Sequence, residues 1–188
     1  MMTLFKSMDP VIPSIPGLTY QTEFLSREEH DQLLSVIDAL PWNTQWKRRI
    51  QPYGYSYGSS TGAPMPAWGS AIAERLYVQG LAPFICDQLL VNEYLPGQGI
   101  FPHADYQTYD RTVVSISLGS PCIMDFIRNH ESERHALWLE PRSVLIMDGE
   151  ARYQWMHGIA ARKKDQWNGT WFQRGRRVSV TLRKSKVA

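Results

Sequence analysis

The apolar positions of this chain change period once, near residue 87, dividing it into a helical front and a stranded back. In the front, Leu33, Leu34, Ile37 and Leu40 form a stripe at helical spacing. Ser26-Arg27-Glu28-Glu29 ahead of it matches a capping box, and Pro41 ends the run. Trp68, Ile72 and Leu76 make a second stripe within 66–79, closed by Gly80. In the back the period is two. Segments 88–95, 111–118, 123–127, 136–140, 143–147, 153–157 and 177–183 read as strands, with Pro-Gly, Gly-Ser, Asn-His, Glu-Pro-Arg and Asp-Gly turn signals among them. Residues 20–25 read as a short edge strand, and 1–19, Pro-rich and aperiodic, as a loosely held arm. The expectation is a mainly β fold with flanking helices (α+β). An antiparallel sheet pair or open barrel is buttressed by N-terminal helices, in one domain over 20–188.

Composition narrows the class without naming a function. At 188 residues with 43% hydrophobic and 20% charged, the chain can bury a full core and is not a disordered sequence. A net charge of +2 permits a polyanionic partner but does not require one. Cys86 and Cys122 sit alone in apolar runs, which reads as reduced thiols in a cytoplasmic protein. Asp9, Pro10, Pro13 and Pro16 interrupt the N-terminus, so no signal peptide is read there, and no apolar run reaches the length of a membrane span. A monomer without membrane association is expected.

Residues 42–66 are different in kind. Trp42, Trp46, Lys47, Arg48, Arg49, Tyr53, Tyr55 and Tyr57 interleave aromatic and basic groups, and Gly54, Gly58 and Gly62 break regular structure. The segment is either a hairpin with ordinary surface aromatics or a mobile lid that stacks and pairs with a planar, anionic substrate.

Strand parity carries the chemistry. Along 177–183, Val178, Val180 and Leu182 share one face, and Arg177, Ser179, Thr181 and Arg183 the other. Two arginines, a Ser and a Thr are costly against a core, so that face meets solvent or an anionic ligand. A guanidinium matches a carboxylate. His103 and Asp105, two apart, point the same way if extended, and His157 ends a strand farther on. Two histidines and one carboxylate with open positions suit non-haem Fe(II), although three protein ligands also serve catalytic zinc. The arginine strand implies a carboxylate-bearing co-substrate and decides for iron. Asn92 and Tyr94 share a strand face and can donate hydrogen bonds to the same carboxylate. His30 reads as a solvated residue on a helix's polar face, and His130 and His135 as turn residues without a metal role.

With these residues in view, the chain resembles the AlkB family of Fe(II)/2-oxoglutarate-dependent dioxygenases. The matching stretches are Asn92-x-Tyr94-x-Pro96-Gly97, His103-x-Asp105, Ser115-x-Ser117-Leu118-Gly119, Met124-Asp125-Phe126, Gly149 to Tyr153 leading into His157-Gly158-Ile159, and Arg177-x5-Arg183. Pro16-Gly17-Leu18, Phe24-Leu25-Ser26 and Pro41-Trp42 also fit, so the resemblance covers nearly the whole chain. It implies a double-stranded β-helix (jelly-roll) core with N-terminal helices and a substrate lid over 42–66. It also implies Fe(II) on His103, Asp105 and His157, with 2-oxoglutarate and O2 as co-substrates.

By the same resemblance Arg177 grips the distal carboxylate of 2-oxoglutarate. Asn92 and Tyr94 add hydrogen bonds, Ser179 and Thr181 line the same face, and Arg183 supports the metal-proximal carboxylate. The implied reaction oxidises a C–H bond of a nucleic-acid base, RNA or DNA, releasing succinate and CO2; on an N-methyl group it yields formaldehyde. Family members that repair alkylated DNA commonly carry an acidic residue just after the ligand Asp, where this chain has Tyr106, Gln107 and Thr108. Arg49-x-Gln51-x-Tyr53-Gly54-Tyr55 and the Ser-Leu-Gly-Ser run are closer to the dioxygenase domain of tRNA wobble-uridine modifiers. Arg49, Gln51, Tyr55 and Tyr106 are therefore the candidate substrate contacts. Basic groups at Lys47, Arg48, Arg162, Lys163 and Lys164 would add RNA affinity. Two alternatives stand beside this: the same chemistry on a protein side chain, and a jelly-roll binding module without catalysis.

Overall fold

A computed structural model describes residues 11–45, 47–54, 63–129 and 132–186. In chain order the elements are β1 (Leu18–Gln21), α1 (Arg27–Ala39), β2 (Ile50–Gly54), α2 (Ala67–Val78), β3 (Gln88–Tyr94), β4 (Ile100–His103), β5 (Tyr109–Gly119) and β6 (Cys122–Arg128). They continue as β7 (Arg134–Leu139), β8 (Val144–Asp148), α3 (Gly149–Tyr153), β9 (Trp155–Ile159), β10 (Lys164–Trp167), β11 (Thr170–Gln173) and β12 (Arg177–Ser185). Six strands in the order β1-β8-β5-β12-β3-β2 make the larger sheet, and four in the order β4-β9-β6-β7 the smaller. All their pairings are antiparallel. β10 and β11 form a separate hairpin.

The larger sheet has two unlike faces, and strand parity produces both. Leu89, Val91, Val114, Ile116, Leu118, Val144, Ile146, Val178, Val180 and Leu182 point to one side, where Leu33 and Ile37 of α1 and Ala73 and Leu76 of α2 complete a buried apolar cluster. Ser26 caps α1 as its sequence predicts, with its backbone N–H donating to Glu29 and its hydroxyl accepting from the Glu29 N–H. The opposite side faces the smaller sheet. There Tyr94, Val113, Leu145 and Met147 meet Cys122, Met124, Phe126, Leu137, Leu139, Trp155 and Ile159. Cys86 and Cys122 are buried and free. Among the described residues no helix is long and apolar enough to cross a membrane.

Several expectations shift. The edge strand lies at Leu18–Gln21 rather than 20–25, because Glu23 adopts φ 55° and turns Phe24 and Leu25 into the helix-side core. The arm is anchored from Ile15 onward: that side chain is buried, and the Pro16 and Gly17 carbonyls accept from the Ala151 and Asp148 N–H groups. Residues 1–10 lie outside the described residues. The predicted strand 153–157 divides into the last residue of α3 and then β9, so His157 sits mid-strand. His30 is not solvated; its Nε2 accepts from the Gly119 N–H at 3.0 Å.

Candidate active site

β4 and β9 bring the two histidines together. Their ladder sets His103 opposite His157, and the ring centroids stand 4.5 Å apart. Next to His157, Gly158 lets β4 close in, since a Cβ there would lie 2.9 Å from the Pro102 nitrogen. His103 Nδ1 is 2.9 Å from the Phe101 carbonyl. A carbonyl only accepts, so Nδ1 donates to it and Nε2 is the ring nitrogen left for another partner. His157 is buried, and burial drives its pKa down to about 4, so the ring is neutral at pH 7.

Asp105 is buried beside them. One of its oxygens pairs with Arg183, while Oδ2 lies 3.6 Å from His157 Nε2 and has no hydrogen-bond partner. Burial pushes the carboxyl up, but Arg183 first, then His157, Arg152 and His103, pull it down to about 2. Arg152, reaching in from α3, donates to the backbone carbonyls of Asp105 at 2.9 Å and Tyr106 at 2.7 Å and fixes the loop that presents the carboxylate. Arg183 also donates to Gln88 Oε1 at 3.1 Å and lies over the Tyr109 ring.

The solvent alternative for the arginine face is excluded. Arg177, Ser179, Thr181 and Arg183 are all buried, between the sheets. Asn92 and Ser117 flank Ser179 in register, and Tyr94 and Gly119 flank Arg177. Arg177 donates to Ser117 Oγ at 2.9 Å and stands 5.3 Å from the Tyr94 ring, while its Nε–H has no partner. Burial raises the Tyr94 phenol pKa, keeping the O–H as a donor. A buried cationic stripe with unused donors is expensive unless an anion meets it.

Among the described residues no group of three or more His, Cys, Asp or Glu side chains stands, as the side chains are placed, in an arrangement that could hold a metal ion. The donors that are gathered are two facing imidazoles and a carboxylate whose second oxygen is buried and unsatisfied. That donor chemistry fits a divalent metal with free positions.

Two proposed substrate contacts belong elsewhere. Arg49 pairs with the buried Glu93 and stacks on Trp42, away from the inner face. Gln51 is buried and donates to the Ile37 and Leu40 carbonyls at the end of α1, which makes it a helix terminator. Tyr55 lies outside the described residues, as do Trp46, Tyr57 and His130. Tyr106 stays a candidate, exposed directly after Asp105. Arg48 was read only as a source of basic charge. It donates to Asn92 Oδ1 at 3.1 Å and lies over the Tyr94 ring. Parity along 48–51 was the available signal, since Arg48 and Arg49 must point to opposite faces. Ser117 could have been found the same way, from Ser115-x-Ser117.

The description "2OG-Fe(II) oxygenase superfamily" matches residues 16–183. The chain belongs to that superfamily. This chain is 37% identical over 203 residues to the alkylated DNA repair protein ALKBH8 homolog of Arabidopsis thaliana, covering 91% of this chain and 59% of that protein. It is 36% identical over 202 residues to the tRNA (carboxymethyluridine(34)-5-O)-methyltransferase ALKBH8 of Mus musculus, covering 90% of this chain and 30% of that one. The chain thus spans less than two thirds of the length of either relative. Its fold matches that of OsALKBH1 with a TM-score of 0.70 at 17% identity, over 90% of this chain and 98% of the other. The double-stranded β-helix expected from the resemblance is therefore the fold of this chain.

Proposed function

We propose that this protein is an AlkB-type dioxygenase that uses Fe(II), 2-oxoglutarate and O2 to oxidise a nucleic-acid base. The observation that carries the reading is the buried, unsatisfied Asp105 Oδ2 beside the His103–His157 pair, set against a buried arginine stripe with unused donors. His103, Asp105 and His157 would hold the iron, which with 2-oxoglutarate supplies the oxidising power and releases succinate and CO2. Arg177 would take the distal carboxylate of the co-substrate, with Tyr94, Asn92, Ser179 and Thr181 lining the approach. Arg183 keeps Asp105 ionised, and its unpartnered Nε–H is available to a carboxylate bound near the metal. Arg152 holds the Asp105 loop in place. In this reading 20–188 is one catalytic domain. Arg48 ties the described part of 42–66 to the co-substrate end, and Tyr106 faces the substrate. Nucleic acid as the substrate class is supported by the relatives' names, which specify alkylated DNA repair and tRNA uridine modification for those proteins.

The test is succinate formation with iron, ascorbate and 2-oxoglutarate, with mass spectrometry of tRNA and methylated oligonucleotides for the product base. Turnover should need iron and fall to background in His103→Ala and Arg177→Ala. Full turnover in those variants would sink the proposal. Stimulation of 2-oxoglutarate consumption by peptides but not oligonucleotides would move the substrate to a protein side chain.

A further inference from the structure

The β10–β11 hairpin lies outside the site, and its two faces differ sharply. Trp167 and Phe172 are turned toward Trp138 on the smaller sheet; the two indoles stack with centroids 6.1 Å apart and planes within 20°, and Phe172 follows at 4.8 Å. Beside them Asp165 accepts from Arg162, Arg174 and the Ile123 N–H. This side clamps the hairpin rigidly. The register pairs Gln166 with Trp171 and Lys164 with Gln173, so these four share the outward face, and all four are exposed. Trp171 keeps 64% of its surface in water, an unusual position for so large an apolar group on a fixed ribbon. The outward face carries no acidic side chain, and neither Lys164 nor the adjacent Lys163 has a carboxylate partner among the described residues. The chain entering the hairpin is tied to the stretch that leads into the site: the Arg162 carbonyl accepts from the Gly97 N–H, three residues before β4, the strand that ends in His103.

We propose that this outward face is a docking surface for a single-stranded stretch of nucleic acid beside the reacting base. Trp171 stacks on an unpaired base, Lys164 and Lys163 neutralise neighbouring phosphates, and Gln166 and Gln173 hydrogen-bond without sequence preference. An exposed, rigid aromatic flanked by cations and amides suits bases, whose flat faces are all alike, better than it suits an apolar protein partner. The inference rests on the nucleic-acid reading and adds to it a second contact outside the catalytic cavity.

The experiment compares wild type, Trp171→Ala and Trp171→Phe for binding to a fluorescent 15-nucleotide single strand and to a trinucleotide, in both RNA and DNA. Uncoupled 2-oxoglutarate turnover and thermal midpoint are measured alongside. Trp171→Ala should weaken 15-mer binding about tenfold, with Trp171→Phe close to wild type and the trinucleotide unaffected. Uncoupled turnover and melting should not move, since the side chain is exposed. Lys164→Glu should lower the salt dependence of 15-mer binding by about one phosphate contact. If wild type oxidises and binds the 15-mer and Trp171→Ala does so equally well, the hairpin proposal falls while the substrate reading stands, and the face is left to a protein partner. If wild type consumes 2-oxoglutarate but binds no oligonucleotide, both fall.

Discussion

Asp105 and Asp165 are both buried carboxylates with arginine partners, and they are finished in opposite ways. Asp165 has no unmet acceptor: Oδ1 accepts from Arg174 at 2.8 Å and Arg162 at 2.6 Å, and Oδ2 from Arg174 at 2.6 Å and the Ile123 N–H at 3.2 Å. Asp105 spends one oxygen on Arg183 and leaves the other buried with no donor. Around it the Nε–H groups of Arg152, Arg177 and Arg183 are also unmet. A saturated network holds a fold together, and an incomplete one costs folding free energy unless something else completes it. The same residue types thus build a clamp in one place and a receptor in the other. What separates them is whether every lone pair is already used.

The largest effects should separate the two centres. Asp105→Ala should abolish succinate formation, a drop of more than about a hundredfold. It takes the carboxylate from the buried Arg183 as the matching change at Asp165 does from Arg174, but it also removes an oxygen that had no donor, so its cost in stability should be the smaller of the two. Asp165→Ala should cost about 3–5 kcal/mol in urea denaturation, since it strands the buried Arg174 guanidinium, yet protein that remains folded should still turn over. A reversed pattern, with turnover lost at Asp165 and stability lost at Asp105, would break the distinction.

A smaller effect sharpens it. N-oxalylglycine at about a hundred times its dissociation constant should raise unfolding free energy in wild type by about 2.7 kcal/mol over Mn(II) alone. Asp105→Ala and Arg177→Ala should lose that gain, and a surviving gain in either would show that the ligand sits elsewhere.

Most of this architecture was legible in the sequence, and the reasons differ by region. Alternation along 177–183 separated Val178, Val180 and Leu182 from the arginine face, because a strand between two layers imprints its period on the residues. The alternation could not say whether the polar face was wet or buried; that depends on a second sheet whose position is a long-range fact. The hairpin at 164–173 escaped notice because its strands are four residues long, and its apolar residues pack on Trp138 rather than on a continuous core. Arg49 and Gln51 were misread for a related reason. In a segment rich in cations and aromatics, composition suggested a ligand, but the partners that matter, Glu93 and the end of α1, are distant in sequence. Arg48, one residue away, was the side chain facing the site.

The pH dependence of folding should carry the smallest signature of the clamp. Burial pushes the Asp165 carboxyl up, but hydrogen bonds from Arg174 and Arg162, with the Arg174 charge and the Ile123 N–H, outweigh it and hold the pKa below the ordinary value. A carboxyl whose pKa is lower in the folded than in the unfolded state favours folding fully above its unfolded pKa, about 3.9, and that contribution disappears as pH falls through the folded value. The Asp165 contribution should therefore hold steady from pH 7 to about 5 and decline below about 4, on top of the loss that His157, with its pKa driven down to about 4, adds in both proteins as pH falls below about 6.5. Asp165→Asn keeps the shape of the side chain but not the charge, so it should start lower at pH 7 and lose less on acidification. Glu93, held low by Arg49 and Arg176 against its own burial, titrates in both proteins and cancels from the difference. The two curves should converge toward acid. Parallel curves would mean that the Asp165 charge adds nothing to the clamp beyond its shape, and the contrast with Asp105 would then rest on hydrogen-bond geometry alone.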